Sequence, residues 1–178
     1  MSQKSSRIRI IETFAALLRK KPVSKISVEE IIKQAGVSKP TFYRHFKDKY
    51  DLACQFCDFL NAPFYEAYKK DHNFRALFIN GCDMVRNNKD LFASLFENPL
   101  SQNSVYQYFI ESSLRSIEQQ IDQTKYTDEM KLELYRCMHG NTYIAWQITI
   151  GKLDLDFEKS MNYLVDIMPD FVKPILQI

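Results

Sequence analysis

The stretch SVEEIIKQAGVSKPTFYRHF, residues 27–46, constrains the fold more than any other part of the 178-residue chain. Ser27 stands three residues before Glu30, the spacing of a capping box, so a short helix is expected from there to about Gln34. Gly36 can take the left-handed conformation that stops it, and Ser38 can cap another helix two residues later. Two short helices joined by so tight a glycine turn predict a helix-turn-helix. On a helical wheel Phe42 and Phe46 stack on one side, where Ile31, Ile32 and Val37 can complete an inner face.

The opposite face is polar and basic. Pro40 and Arg44 point away from the inner face, Thr41 and Tyr43 lie on its shoulders, and Lys39 projects from the first turn just after the Ser38 cap. A recognition helix presents that end to base edges in the major groove. Charge supports the reading: residues 1–50 carry 12 Lys/Arg against 4 Asp/Glu, net +8, whereas residues 51–178 carry 12 against 18, net −6. Such asymmetry suits a head that meets a polyanion, with nucleic acid the first candidate and an anionic membrane surface the second. Asp48 can cap the next helix, which puts Lys49 in its first turn, where a cation opposes the macrodipole by about 0.3–1 kcal/mol. A DNA phosphate shared with the free N–H groups would explain that placement. His45, Lys47 and the Ser27 hydroxyl stand near enough in sequence to add phosphate contacts. Taken singly, each of these residues also reads as ordinary solvated surface.

SVEEIIKQAGVSKPTFYRHFKDKYDL resembles the amino-terminal signature of the TetR/AcrR (tetracycline repressor-like) regulators: a capped helix, the A-G-V-S turn, the T-F-Y-R-H-F helix, then K-x-K-x-x-L. The resemblance covers about residues 5–55. It implies that Lys39, Thr41, Tyr43 and His45 contact bases and phosphates, that Lys49 contacts a phosphate, and that Phe42 and Phe46 belong to the domain core. It also implies a three-helix DNA-binding head on an all-helical body that binds ligand and dimerises.

Local physics agrees with an all-α chain of about nine helices. Four Gly, six Pro and repeated three-and-four spacing leave no convincing strand. A first helix is expected over about Ser5 to Lys20, with Ile8, Ile11, Ala15 and Leu18 on one stripe, and a long one over about Lys49 to Lys70 with Pro63 inside. Further segments fall near Asn73–Asn87, Lys89–Glu97, Ser104–Thr124, Asp128–Ile150 and Asp156–Met168. The expected division is a head of residues 1–48 and an effector-binding, dimerising body of residues 49–178.

Tyr143 to Ile150, YIAWQITI, is apolar on more than one side, so one face can pack at home while Tyr143, Trp146 and Ile150 meet a second subunit, joined by Phe157, Met161 and Leu164. A helix buried within one monomer is the competing reading. Aromatic crowding suggests an effector pocket around Phe56, Phe59, Phe78, Phe96, Phe109 and His139, although aromatics at this spacing also make plain core and His139 also reads as a structural histidine. Cys54 and Cys57 lie one turn apart without a second ligand pair, so no metal is expected and small core residues are the favoured reading. No cofactor motif, nucleophile elbow or phosphate loop occurs, and no catalytic residue is assigned. Neither a signal segment nor a membrane span is evident, which predicts a cytoplasmic protein. The expected function is that of a homodimeric repressor, released from a palindromic double-stranded operator by a small-molecule effector. An activator of the same fold and an effector-independent architectural module are the alternatives.

Overall fold

The computed structural model describes residues 5–96 and 105–178, which form α-helices and turns and no strand. Glu97 and Ser104, expected ends of two helices, lie outside the described residues. Helix α1 (Ser6–Leu18) starts where the Ser5 hydroxyl accepts from the Ile8 N–H at 3.4 Å. Its buried stripe is Ile10, Ile11, Phe14, Leu17 and Leu18, while Ile8 and Ala15, expected inside, are half-buried. Phe14 centres that stripe, its ring meeting Phe56 edge-on at 5.8 Å. After a single 3-10 turn (Val23–Lys25) come α2 (Val28–Ala35) and α3 (Lys39–His45).

The expected caps are in place. Ser27 accepts from the Glu30 N–H at 3.1 Å and Ser38 from the Thr41 N–H at 3.3 Å. The Glu30 carboxylate meets the Lys21 ammonium at 2.6 Å, which ties α2 back to the end of α1. Gly36 ends α2 at φ 61°, a left-handed conformation in which a Cβ would strain the backbone.

Helix α4 (Lys49–Asp71) carries Pro63 inside it and opens on Asp48, whose carboxylate accepts from the N–H groups of Tyr50 (2.7 Å) and Asp51 (2.9 Å). Then follow α5 (Phe74–Asn87), α6 (Lys89–Leu95), α7 (Val105–Glu118), α8 (Asp128–Thr149), α9 (Phe157–Asp166) and the short α10 (Lys173–Leu176). The four-residue α10 has no counterpart in the sequence reading, because one turn is too short to show a period.

Two compact units are formed. The first takes described residues within 1–60 and 90–106, the second those within 61–89 and 107–178. The first dozen residues of α4 therefore belong with the head. Leu52, Ala53, Phe56 and Cys57 are the reason: they are buried on the same unit's core. In the second unit Ala145, Ile148, Met161 and Leu164 form a buried cluster against which Phe78, Ile79, Cys82 and Phe157 pack. Arg75 locks α5 to α9, donating to the Asn162 carbonyl (3.2 Å), the Asn162 side-chain oxygen (3.0 Å) and the Asp166 carboxylate (2.6 Å). The Arg86 guanidinium lies over the Phe157 ring at 3.9 Å. No helix of the described residues is long and apolar enough to cross a membrane.

Candidate nucleic-acid interface

Burial sorts α3 into two faces. Phe42 is wholly buried and Phe46, just past the helix, nearly so, with ring centroids 5.7 Å apart. Ile31 is buried beneath them, and Ile32 and Val37 are half-buried. Lys39, Pro40 and Arg44 are exposed, as are Ser38 and Lys47 at its two ends; Tyr43 is 47% exposed, its ring edge-on to Phe42 at 5.3 Å. Thr41 is half-buried and exchanges a 2.8 Å hydrogen bond with the Ser38 hydroxyl. Ser27 is exposed at the start of α2. The exposed members of the set expected to meet DNA, Lys39, Pro40, Tyr43 and Arg44, thus lie on the outer side of α3, with the buried Phe42 behind them.

Two of the expected contact residues have partners inside the chain that spacing did not reveal. His45 is half-buried, and its Nε2 lies 2.9 Å from the Ser6 hydroxyl of α1. Lys49 donates from Nζ to the carbonyls of Ser24 (2.7 Å) and Ile26 (2.9 Å), while also lying over the Tyr50 ring at 5.2 Å. These carbonyls supply the negative partner for which the macrodipole argument invoked a phosphate. An ammonium has three N–H donors, so one remains for a phosphate. Lys49→Met should lower the thermal midpoint of the DNA-free protein by a few degrees, because charge-assisted bonds to carbonyls contribute roughly 1–2 kcal/mol at a half-buried position. Unchanged melting would show that the strut carries no load. A salt slope reduced by about one counterion, measured on random DNA, would report the phosphate contact separately.

Sequence reasoning missed a polar joint at the far end of α3. Gln55 of α4 accepts from Arg7 Nη2 at 3.1 Å and donates from Nε2 to the His45 carbonyl at 3.3 Å and to the Asp51 carboxylate at 3.3 Å. Asp51 in turn accepts from the Lys47 N–H at 2.8 Å. The i, i+4 spacing of Asp51 and Gln55 puts them on one side of α4, but nothing local shows that this side faces α3.

The candidate pocket residues divide between the units. Phe56 is buried against Phe14, Phe96 packs on Phe92 and Tyr106 (both 5.7 Å), and Phe59 is 42% exposed, all in the first unit. Phe78, Phe109 and His139 are half-buried in the second, with His139 6.3 Å from the Tyr135 ring. Of the candidate seam residues, Trp146, Met161 and Leu164 are buried within the chain, and Tyr143, Ile150 and Phe157 are half-buried. Large apolar side chains that stand outward along α8 are Leu132 (72% exposed) and Ile144 (39%), and Tyr163 (62%) on α9 and Ile167 (43%) at its C-cap do the same. Cys54 is half-buried and its thiol is pushed up to about 12 by burial and by the Asp51, Asp58 and Asp48 carboxylates; burial also raises Cys57. Thiols so raised stay protonated at neutral pH and make poor ligands or nucleophiles.

Residues 10–54 match the family described as bacterial regulatory proteins, tetR family. Over 93% of its length the chain is 25% identical to YerO of Bacillus subtilis (strain 168), an uncharacterized HTH-type transcriptional regulator, and it spans 64% of that relative's length. In fold it is similar to a transcriptional regulator (TerR/AcrR family) from Aquifex aeolicus VF5, with a TM-score of 0.54 at 20% identity over 91% of this chain and 96% of that one. A tetR-family transcriptional regulator from Streptomyces coelicolor gives a TM-score of 0.53 at 17% identity over 99% of this chain and 83% of that one.

Proposed function

We propose that this chain, whose residues 10–54 match the tetR family of bacterial regulatory proteins, is a member of that family and a sequence-specific transcriptional repressor that works in the cytoplasm as a homodimer on a palindromic operator. The observation that carries the reading is the two-faced α3: Phe42 and Phe46 buried behind it, and Lys39, Tyr43 and Arg44 open in front of it. A short helix that is anchored by one face and basic on the other fits the major groove. Repression is the outcome favoured because a protein seated on such a site blocks polymerase by overlap. The reading assigns no catalysis.

A twofold axis matches two recognition helices to a palindrome. Ile144, Tyr163 and Ile167 support a seam built from α8 and α9, since outward apolar side chains on paired helices form a bundle with a second copy. Release by a small molecule is proposed to use half-buried aromatics of the second unit, Phe78 and Phe109 foremost. An effector acts only through its difference in affinity for the two states, typically a coupling of about 1–3 kcal/mol, and bound operator must weaken effector binding by the same factor.

The test begins with selection of a duplex from a randomised DNA pool. Lys39→Ala should then cost about 1–3 kcal/mol at one base position of the selected duplex and little on random DNA, as a base-edge contact does. A uniform loss would move Lys39 to the phosphate contacts, and failure of the wild type to enrich any sequence would refute the DNA-reading function.

A further inference from the structure

We propose that Gln55 is a positioning residue for DNA reading: from α4 it fixes the far end of α3, and with it the aim of the base-contacting face. The inference rests on the function proposed above. Its basis is the geometry at His45, the last residue of α3. Carbonyls at a helix end lack partners within the helix, and Gln55 Nε2 supplies one to His45 at 3.3 Å. The same residue's ring is held from the other side by the Ser6 hydroxyl at 2.9 Å.

The amide fits in one orientation only. Arg7 has nothing but donors, so Oε1 must face it; the His45 carbonyl and the Asp51 carboxylate only accept, so Nε2 must face them. Arg7 is further fixed over the Phe46 ring at 6.0 Å, and Asp51 holds the Lys47 N–H at 2.8 Å. One side chain thereby joins α1, the end of α3, the turn after it and α4. Phe42 and Phe46 anchor α3 along one face, but apolar contact is non-directional and leaves tilt about that anchor soft. Directional bonds at the end of the helix remove that freedom.

Gln55→Met keeps length and net charge while removing both donor and acceptor. On the duplex selected by the wild-type protein, affinity should fall about three- to tenfold, the range expected for one lost net hydrogen bond to a helix end. Affinity for a scrambled duplex of the same length should stay within about twofold, and the salt slopes of both should be unchanged because no phosphate contact is touched. Discrimination is the deciding readout, since partial unfolding would lower both affinities together. Gln55→Asn, one methylene too short to span the joint yet still polar, should behave alike and serves if the methionine variant does not fold. Discrimination equal to wild type in a folded variant would overturn the inference while leaving the DNA-reading function intact. Equal loss on both duplexes would reduce Gln55 to a structural strut. Absence of any sequence enriched by the wild type would remove the function and this inference together.

Discussion

Phe42→Ala is expected to lower the melting midpoint of the protein by roughly 10 °C and to abolish binding to any selected duplex at temperatures where the wild type binds. The ring is wholly buried, 5.3 Å from Tyr43 and 5.7 Å from Phe46, and no other side chain of α3 reaches the same interior. Truncation of a buried phenylalanine costs about 3–5 kcal/mol, part lost transfer energy and part cavity. Against a total stability of about 5–15 kcal/mol, that is enough to loosen a head whose second and third helices have only eight and seven residues. Tyr43→Ala is the control. Its ring is 47% exposed, so melting should scarcely move while DNA binding falls. Thermal unfolding followed by far-UV circular dichroism measures both variants, and a midpoint drop below about 3 °C for Phe42→Ala would contradict the anchoring role.

The double variant Tyr163→Glu, Ile167→Glu should sediment as a folded monomer and bind the selected palindrome about a hundredfold more weakly. Both side chains are exposed and lie four residues apart, Tyr163 on α9 and Ile167 at its C-cap, so charges there leave the interior untouched. In a dimer the same carboxylates would be desolvated without partners, which costs several kcal/mol across the seam. Affinity falls because the second half-site is no longer engaged within one complex, and avidity of that kind ranges over 10²–10⁴ by order of magnitude. A variant that still sediments as a dimer would move the seam off α9. Trp146→Glu makes the useful contrast: with Trp146 7% exposed in its own chain, that charge should lower melting first and change association only as a consequence.

Helix starts and stops were legible in the residues themselves. Ser27, Ser38 and Asp48 cap the helices they were expected to cap, and Gly36 ends α2 in the left-handed conformation, because each device acts over two to four residues. The buried pair Phe42 and Phe46 was legible for the same reason, as a four-residue spacing from the short helix to its C-cap. The stripe of α1 was read less well. Ile8 and Ala15 fit the period, but Phe14 and Leu17 form the buried centre, since the choice between overlapping stripes belongs to whatever packs on the helix.

Direction across space was decided by the tertiary structure. Lys49 looked like a cation in need of a phosphate until the carbonyls of Ser24 and Ile26, 25 and 23 residues away, were brought to its ammonium. Gln55 showed locally only its i, i+4 partner Asp51, because its cross-helix partners Arg7 and His45 stand 48 and 10 residues from it in the chain. Trp146 could have faced either a second subunit or its own interior, for a helix apolar on more than one side contains no statement of which side closes first. The residues alone determined where this chain becomes helical and that α3 has an apolar and a basic face, because caps and periods are interactions between near neighbours. Only the fold determined which polar groups meet across helices and which apolar faces remain outward, because those depend on the simultaneous packing of segments that sequence spacing leaves independent.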